Sequence, residues 1–293
     1  MKIALGTVQF GLPYGIANRH GQVSRAEAVT IIDYAKSVGI DTLDTAAAYG
    51  NSERLLGEII DPKWKIISKL PPIPTGTRDV AHWVRTTVEK SLQLLRVNRL
   101  DGLLLHHPAD LLGGDGVFLH NALINLKSSG LVQKTGISIY NPAELDGLIG
   151  RFPFEMVQAP FNVLDQRLVS SGWLARLHDL GIEVHVRSIF LQGLLLLDKL
   201  ARPPQFSRWE GIWLDWDEYL RASNQTPLEA CVRFASSSPI ISRFVVGIDS
   251  RRQLEEIFTA LDGATASLPH HLQCNDPQLL EPSRWESLTR AAD

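Results

Sequence analysis

Cysteine and methionine are scarce, two of each among 293 residues. Cys231 and Cys274 stand far apart and fit neither a CxxC nor a metal-ligand spacing, which excludes a disulfide framework and a thiolate metal site as organising features. An excess of one charge is also lacking. Lys and Arg number 29 against 32 Asp and Glu, a formal net charge of −3, so nothing electrostatic points to nucleic acid or an anionic membrane as partner. No run approaches the roughly 18 to 20 apolar residues that span a bilayer. The apolar stretch at the N-terminus is too short for a secretory signal, and the cytoplasm is the expected compartment.

What is present is a rhythm. Hydrophobic residues make up 44% of the chain and charged ones 21%, enough for the buried core of a soluble globular protein. Short apolar runs at residues 3–6, 40–44, 65–68, 100–105, 134–138, 154–158, 182–187 and 244–247 read as strands. Between them lie segments of helical period. Ser24 reads as an N-cap with Glu27 as its capping-box partner, opening a helix that Gly39 ends. Further helices are predicted from about Ser52, and over 79–95, 118–127, 142–149, 166–180, 227–236 and 251–261. Eight strand–helix units without hairpins predict a parallel sheet closed into a single (β/α)8 TIM barrel, one domain over residues 1–293. Two stretches fall outside the rhythm. One is a long connection after strand seven, 190–224, with Trp209, Trp213 and Trp216. The other is a polar, proline-containing C-terminal extension after Asp262.

In such a barrel the C-terminal strand ends converge on one face, where polar residues distant in sequence meet. Asp44 closes the second strand, Tyr49 follows five residues on, Lys69 follows the third strand and His106 the fourth. Their chemistry is mutually consistent. A free phenol ionises near pH 10, too high to exchange a proton readily at neutrality. A neighbouring ammonium favours the phenolate, and a carboxylate beside the ammonium holds it charged and in place. A histidine on the other side can orient a carbonyl. Together they describe a general acid aimed at an oxygen on which negative charge develops. Singly each residue has an ordinary structural explanation; their joint occurrence at consecutive strand ends is the signal.

The motifs around these residues are specific. Asp44-Thr45-Ala46-Ala47-Ala48-Tyr49-Gly50-Asn51-Ser52-Glu53, then Ser68-Lys69, then Asp101 through His106-His107-Pro108, resemble in order the signature segments of the aldo-keto reductase superfamily. The similarity continues through Thr135-Gly136-Ile137-Ser138, Gln158-Ala159-Pro160-Phe161-Asn162, Leu191-Gln192-Gly193-Leu194 and Val245-Val246-Gly247. The resemblance implies a hydride transfer between nicotinamide and a carbonyl or alcohol substrate, with Tyr49 as proton donor tuned by Lys69 and Asp44, and His106 beside the carbonyl. It implies an extended dinucleotide without a Rossmann domain, so the lack of a GxGxxG loop is expected. Gly6, Thr7 and Asp44 would line the cofactor, and Ser138 and Gln158 would meet the carboxamide. Arg187 would stack on the ring where many members have tyrosine, and Ile139 stands where many have asparagine. Ser188, Phe190, Gln192 and Gly193 would lie along the pyrophosphate. Gly247, Ser250, Arg251 and Gln253, with Arg252 nearby, would meet the adenosine end at a helix start. NADP is expected by family habit, with NAD the alternative.

For the substrate, Tyr14, His106, Trp209 and Trp213 are the candidates, with His20 at the same rim. Tryptophans of the long loop either wall the pocket or pack the loop on the barrel. No metal site is expected: His106 and His107 are adjacent and would point to opposite sides, which makes joint ligation with Asp110 awkward. The alternative function is a cofactor-binding redox sensor of the same fold. The sequence does not set the oligomeric state.

Overall fold

The computed structural model describes residues 2–264 and 266–285. Eight strands form a closed barrel in sequence order, every neighbouring pair parallel. They are β1 (Ile3–Gly6), β2 (Thr42–Asp44), β3 (Lys65–Leu70), β4 (Leu100–Leu105), β5 (Val132–Ser138), β6 (Met156–Pro160), β7 (Glu183–Arg187) and β8 (Arg243–Gly247). The single TIM barrel expected from the alternation is present. Residues 1, 265 and 286–293 of the expected domain lie outside the described residues, as does the end of the C-terminal extension.

Two cores hold the barrel. Alternate strand residues such as Leu5, Leu43, Ile66, Leu103, Val157 and Val246 point outward into the layer of helices. There they meet apolar faces such as Val80, Val84, Val88, Leu92 and Leu95 of the Val80–Leu95 helix, spaced as one helical stripe requires. Inside the barrel a separate small plug of Ile67, Leu104 and Met156 is buried. Gly136 makes room for it: a Cβ there would stand 2.1 Å from the Met156 carbonyl oxygen. Below the plug, at the N-terminal strand ends, a cavity of about 140 Å³ is lined by Lys65, Lys134, Glu183, His185 and Arg243 among others.

Several predicted boundaries shift for local reasons. β3 runs through Leu70, not Ser68, because Lys69 and Leu70 pair with Leu104 and Leu105 of β4; Lys69 therefore lies within the strand. The helix predicted over 166–180 is two, Arg167–Ser170 and Trp173–Asp179, parted at Gly172 with φ +79°. The capping box at Ser24 is half formed. Ser24 Oγ accepts from the Glu27 N–H, but the Glu27 carboxylate reaches across to the Arg251 N–H. A complete box closes instead at Thr226 and Glu229.

The long connection after β7 folds into short turns and the Glu210–Ser223 helix. Trp209, Trp213 and Trp216 are all buried. They join Val163, Leu164, Leu194, Phe206 and Leu279 in a second hydrophobic cluster, and Trp216 is fully buried. Their indole N–H groups donate to Asp276 Oδ2, Phe206 O and Leu195 O at 3.0, 2.8 and 3.3 Å. A buried indole needs such a partner, and three of them tie the insertion to itself and to the segment near Asp276. Trp209 and Trp213 thus pack the insertion, and Trp213 also borders a cavity of about 170 Å³ with Arg202, Phe206 and Asp217. Among the described residues no helix is long and apolar enough to cross a membrane.

Trp216→Ala should destabilise the protein by roughly 3 to 5 kcal/mol, through lost burial and the cavity left behind. Urea denaturation of the variant measures this; a loss below about 1 kcal/mol would show that the insertion is not part of the cooperative core.

Candidate active site

The C-terminal ends of β2, β3, β5 and β6 bring four polar side chains into the barrel mouth. Lys69 is 1% exposed and Asp44 4%. Lys69 Nζ donates to Asp44 Oδ1 at 2.6 Å and to the Thr45 carbonyl at 2.9 Å. Gln158 Nε2 donates to the other Asp44 oxygen at 2.7 Å, and Ser138 Oγ donates to Gln158 Oε1 at 3.2 Å. Each member is thus oriented by the next, from β5 through β6 and β2 to β3. Burial works to lower the Lys69 pKa, but the Asp44 charge, the neighbouring Tyr49 and the Asp44 hydrogen bond together outweigh it and hold the ammonium above the ordinary lysine range.

Tyr49 stands against this pair. The Lys69 ammonium is 5.1 Å from the Tyr49 ring centroid, and the His106 ring lies edge-on to the phenol at 6.0 Å between centroids. The Tyr49 turn is fixed from both sides. Ser52 Oγ donates to the Thr7 carbonyl at 2.9 Å. Gly11 comes so close that a Cβ there would stand 1.7 Å from the Tyr49 carbonyl oxygen. Glu53, the last motif residue, is buried beneath and accepts from Ser68 Oγ at 2.7 Å. Sequence reasoning gives no role to Glu53 or Gly11; both hold the turn that carries Tyr49.

His106 is pushed down to about 4, chiefly by burial, with the Lys69 and Arg187 cations adding to it. A neutral imidazole has one N–H to give and one lone pair, which suits a hydrogen bond to an uncharged oxygen. His107 faces away and pairs with Asp110 at 2.7 Å, and no group of three His, Cys, Asp or Glu able to hold a metal comes together among the described residues.

Around this centre lie the other expected residues. Arg187, ending β7, packs on the Tyr140 ring at 4.6 Å and donates to Ile139 O at 3.0 Å and Ser188 Oγ at 3.1 Å. Beyond it Ser188, Leu191, Gln192 and Gly193 all adopt positive φ. Left-handed non-glycine residues are costly and gather at functional sites, and such turns make anion-binding concavities. Phe190 is half-buried and packs against both the helix-layer core and the tryptophan cluster of the insertion. This turn is joined to the loop after β1: Gln192 Nε2 donates to Tyr14 Oη at 3.1 Å and the Ile16 N–H to Gln192 O at 3.1 Å. Tyr14 therefore sits at the mouth, and its phenol is raised above the ordinary tyrosine value, first by burial. His20 lies exposed on the same loop.

At the far edge, Gly6 and Gly247 pair at the ends of β1 and β8. Thr7 is buried and its hydroxyl donates to Asp44 O at 3.0 Å. Gln9 fills the space a Cβ on Gly247 would take, and its buried Oε1 has no hydrogen-bond partner. Ser250 caps the Arg251–Ala260 helix through the Gln253 N–H, while Gln253 Oε1 accepts from the Asp249 N–H.

The model of the Aldo/keto reductase family matches residues 2–266. The chain belongs to this family. Among its relatives, Oxidoreductase YdhF of Escherichia coli is 28% identical over 199 residues, 62% of this chain and 66% of that protein. An aldo-keto reductase of Mycolicibacterium vanbaalenii is 31% identical over 138 residues, 44% of this chain and 47% of that protein. The chain thus spans less than two thirds of the length of either. The aldo-keto reductase AKR11C1 from Bacillus halodurans, in its holo form, superposes with a TM-score of 0.70 at 18% identity, covering 99% of this chain and 91% of that one. A glycerol dehydrogenase, AKR11B4 from Gluconobacter oxydans, gives 0.68 at 20% identity, with 99% and 90% covered. At these identities the likeness speaks for the fold.

For an aldo/keto reductase, an extended dinucleotide needs a concave path and unclaimed polar atoms along it. The positive-φ turn at 188–193 and the orphaned Gln9 Oε1 beside Gly247 fit that requirement.

The His106 value has a thermodynamic consequence. An imidazole that ionises at about 4 when folded and 6.5 otherwise takes up its proton first in the unfolded chain. Its contribution to stability is therefore complete above about pH 6.5 and lost as pH falls towards 4. NMR titration of ring protons should show His106 neutral down to about pH 5; a midpoint near 6.5 would mean that burial and the two cations do not govern it.

Proposed function

We propose that the chain is an NAD(P)H-dependent reductase of small carbonyl compounds, an aldehyde, ketone or sugar, running to the alcohol or in reverse. The observation that carries this reading is the Lys69 ammonium, buried and held by Asp44, facing the Tyr49 phenol beside His106. Nicotinamide, when bound, supplies the hydride for the carbonyl carbon. Ser138 and Gln158 would hold its carboxamide, Arg187 would meet the nicotinamide end, the turn at 188–193 would take the diphosphate, and Gly247 with 250–253 would meet the adenosine end. Gly6 and Thr7 form the floor between.

Tyr49 gives its hydroxyl proton to the carbonyl oxygen as charge develops there. The phenolate left behind is met by the Lys69 cation, which Asp44 keeps charged and in register. His106, neutral, donates to the same oxygen and fixes the face of the carbonyl. Burial of the pair excludes water from around the ammonium, so its charge acts through a poorly screening medium. Tyr14 and His106 bound the substrate opening.

Two variants test the roles. Tyr49→Phe should lower kcat by about 100-fold or more, the size of a lost general acid, while cofactor affinity stays close to that of the unmodified protein. Lys69→Met should also cripple turnover, because the phenolate loses its cation. Steady-state rates on a panel of aldehydes with NADH and NADPH measure both; near-normal turnover by either variant on a good substrate would overturn the assignment.

A further inference from the structure

The start of the Arg251–Ala260 helix takes the adenosine end if the chain binds a nicotinamide dinucleotide as proposed, and the choice between the two dinucleotides rests on that reading. A ribose 2′-phosphate bound at a helix start needs free backbone N–H groups and available cations. Here three of the N–H groups are already taken. The Arg251 N–H donates to Glu27 Oε1 at 2.7 Å, the Gln253 N–H to Ser250 Oγ at 3.3 Å, and the Asp249 N–H to Gln253 Oε1 at 2.7 Å. The cations are engaged as well: Arg251 Nε pairs with Glu255 at 2.7 Å and Arg252 Nε with Glu256 at 2.9 Å.

These contacts differ in what they would do to an arriving phosphate. The two arginine pairs are exposed and four residues apart on one helix, a weak arrangement from which the guanidinium can turn away. Glu27 is different. It comes from the neighbouring Arg25–Ser37 helix, in the turn where its own N–H is held by the Ser24 hydroxyl, and its carboxylate occupies the acceptor position at the helix start. A 2′-phosphate would have to displace this carboxylate and then remain beside it. A 2′-hydroxyl meets the opposite situation, since a carboxylate there can accept its hydrogen bond, as acidic residues do for NAD in other dinucleotide folds.

We propose that the chain selects NAD(H) over NADP(H), with Glu27 as the specificity-determining residue, against the family habit expected from the motifs. The arginines flanking the site do not reverse the preference while the Glu27 carboxylate stands at the Arg251 N–H.

Equilibrium titration of the full chain with NAD⁺ and with NADP⁺, followed by tryptophan fluorescence, reads the preference directly. NAD⁺ should bind at least about tenfold more tightly, the scale of one nearby like charge set against a phosphate. In Glu27→Gln, which keeps an acceptor oxygen and removes the charge, NADP⁺ should gain about three- to tenfold, and adenosine 2′,5′-bisphosphate should gain in parallel. Equal or tighter binding of NADP⁺ by the unmodified protein would overturn the proposal, as would an unchanged NAD⁺/NADP⁺ ratio in the folded variant. Failure of the folded protein to bind either dinucleotide is a different result: it would remove the nicotinamide reading itself.

Discussion

A lysine ammonium taken out of water is tolerable only where a charge and hydrogen bonds replace its hydration, and the barrel mouth is built around meeting that requirement. Asp44 supplies the charge, the Thr45 carbonyl a second acceptor. Desolvating both ions is expensive, and removing one partner from such a buried pair costs more than the pair contributes. The arrangement therefore makes poor sense as a stabilising device. It makes sense as a fixed field pointed at the group beside it, and the Tyr49 ring stands there. The glutamine and serine behind Asp44 share the same logic: they saturate the carboxylate so that it has no freedom to turn away.

That field has to be aimed, and the aiming is done by backbone. Tyr49 rides on a turn pressed against Gly11, braced by Ser52 on Thr7 and underlaid by buried Glu53. Of these, Thr7 reaches the pair through the Asp44 backbone carbonyl, and none hydrogen-bonds its charged atoms. They convert the geometry of two loops into the position of one ring, which explains why a motif long enough to include residues 51–53 accompanies a site that needs only the tyrosine.

The fold and the centre of the site were legible in the sequence because each rests on local or strictly ordered signals. Eight apolar runs alternating with helical stripes have one parallel closure, and Asp44, Tyr49, Lys69 and His106 fall at or near the C-terminal ends of its strands. What was not legible depended on partners far along the chain. The end of β3 is set by β4, not by its own residues. Whether Glu27 closes a capping box on Ser24 or crosses to Arg251 is a choice between two acceptor demands, and only packing of the two helices decides it. The tryptophans of the insertion carry the same ambiguity. Amphipathic rings suit a pocket wall or a secondary core equally well, and here the indole hydrogen bonds to Phe206, Leu195 and Asp276 settle where they lie.

The plug of Ile67, Leu104 and Met156 separates the charged groups of the mouth from those at the opposite end of the barrel. Three apolar side chains in close contact leave no chain of donors and acceptors along the axis. On the proposed reading of Tyr49 as the acid, hydrogen ions would reach and leave the phenol by the open side, so that reprotonation and exchange of the bound molecule would share one doorway.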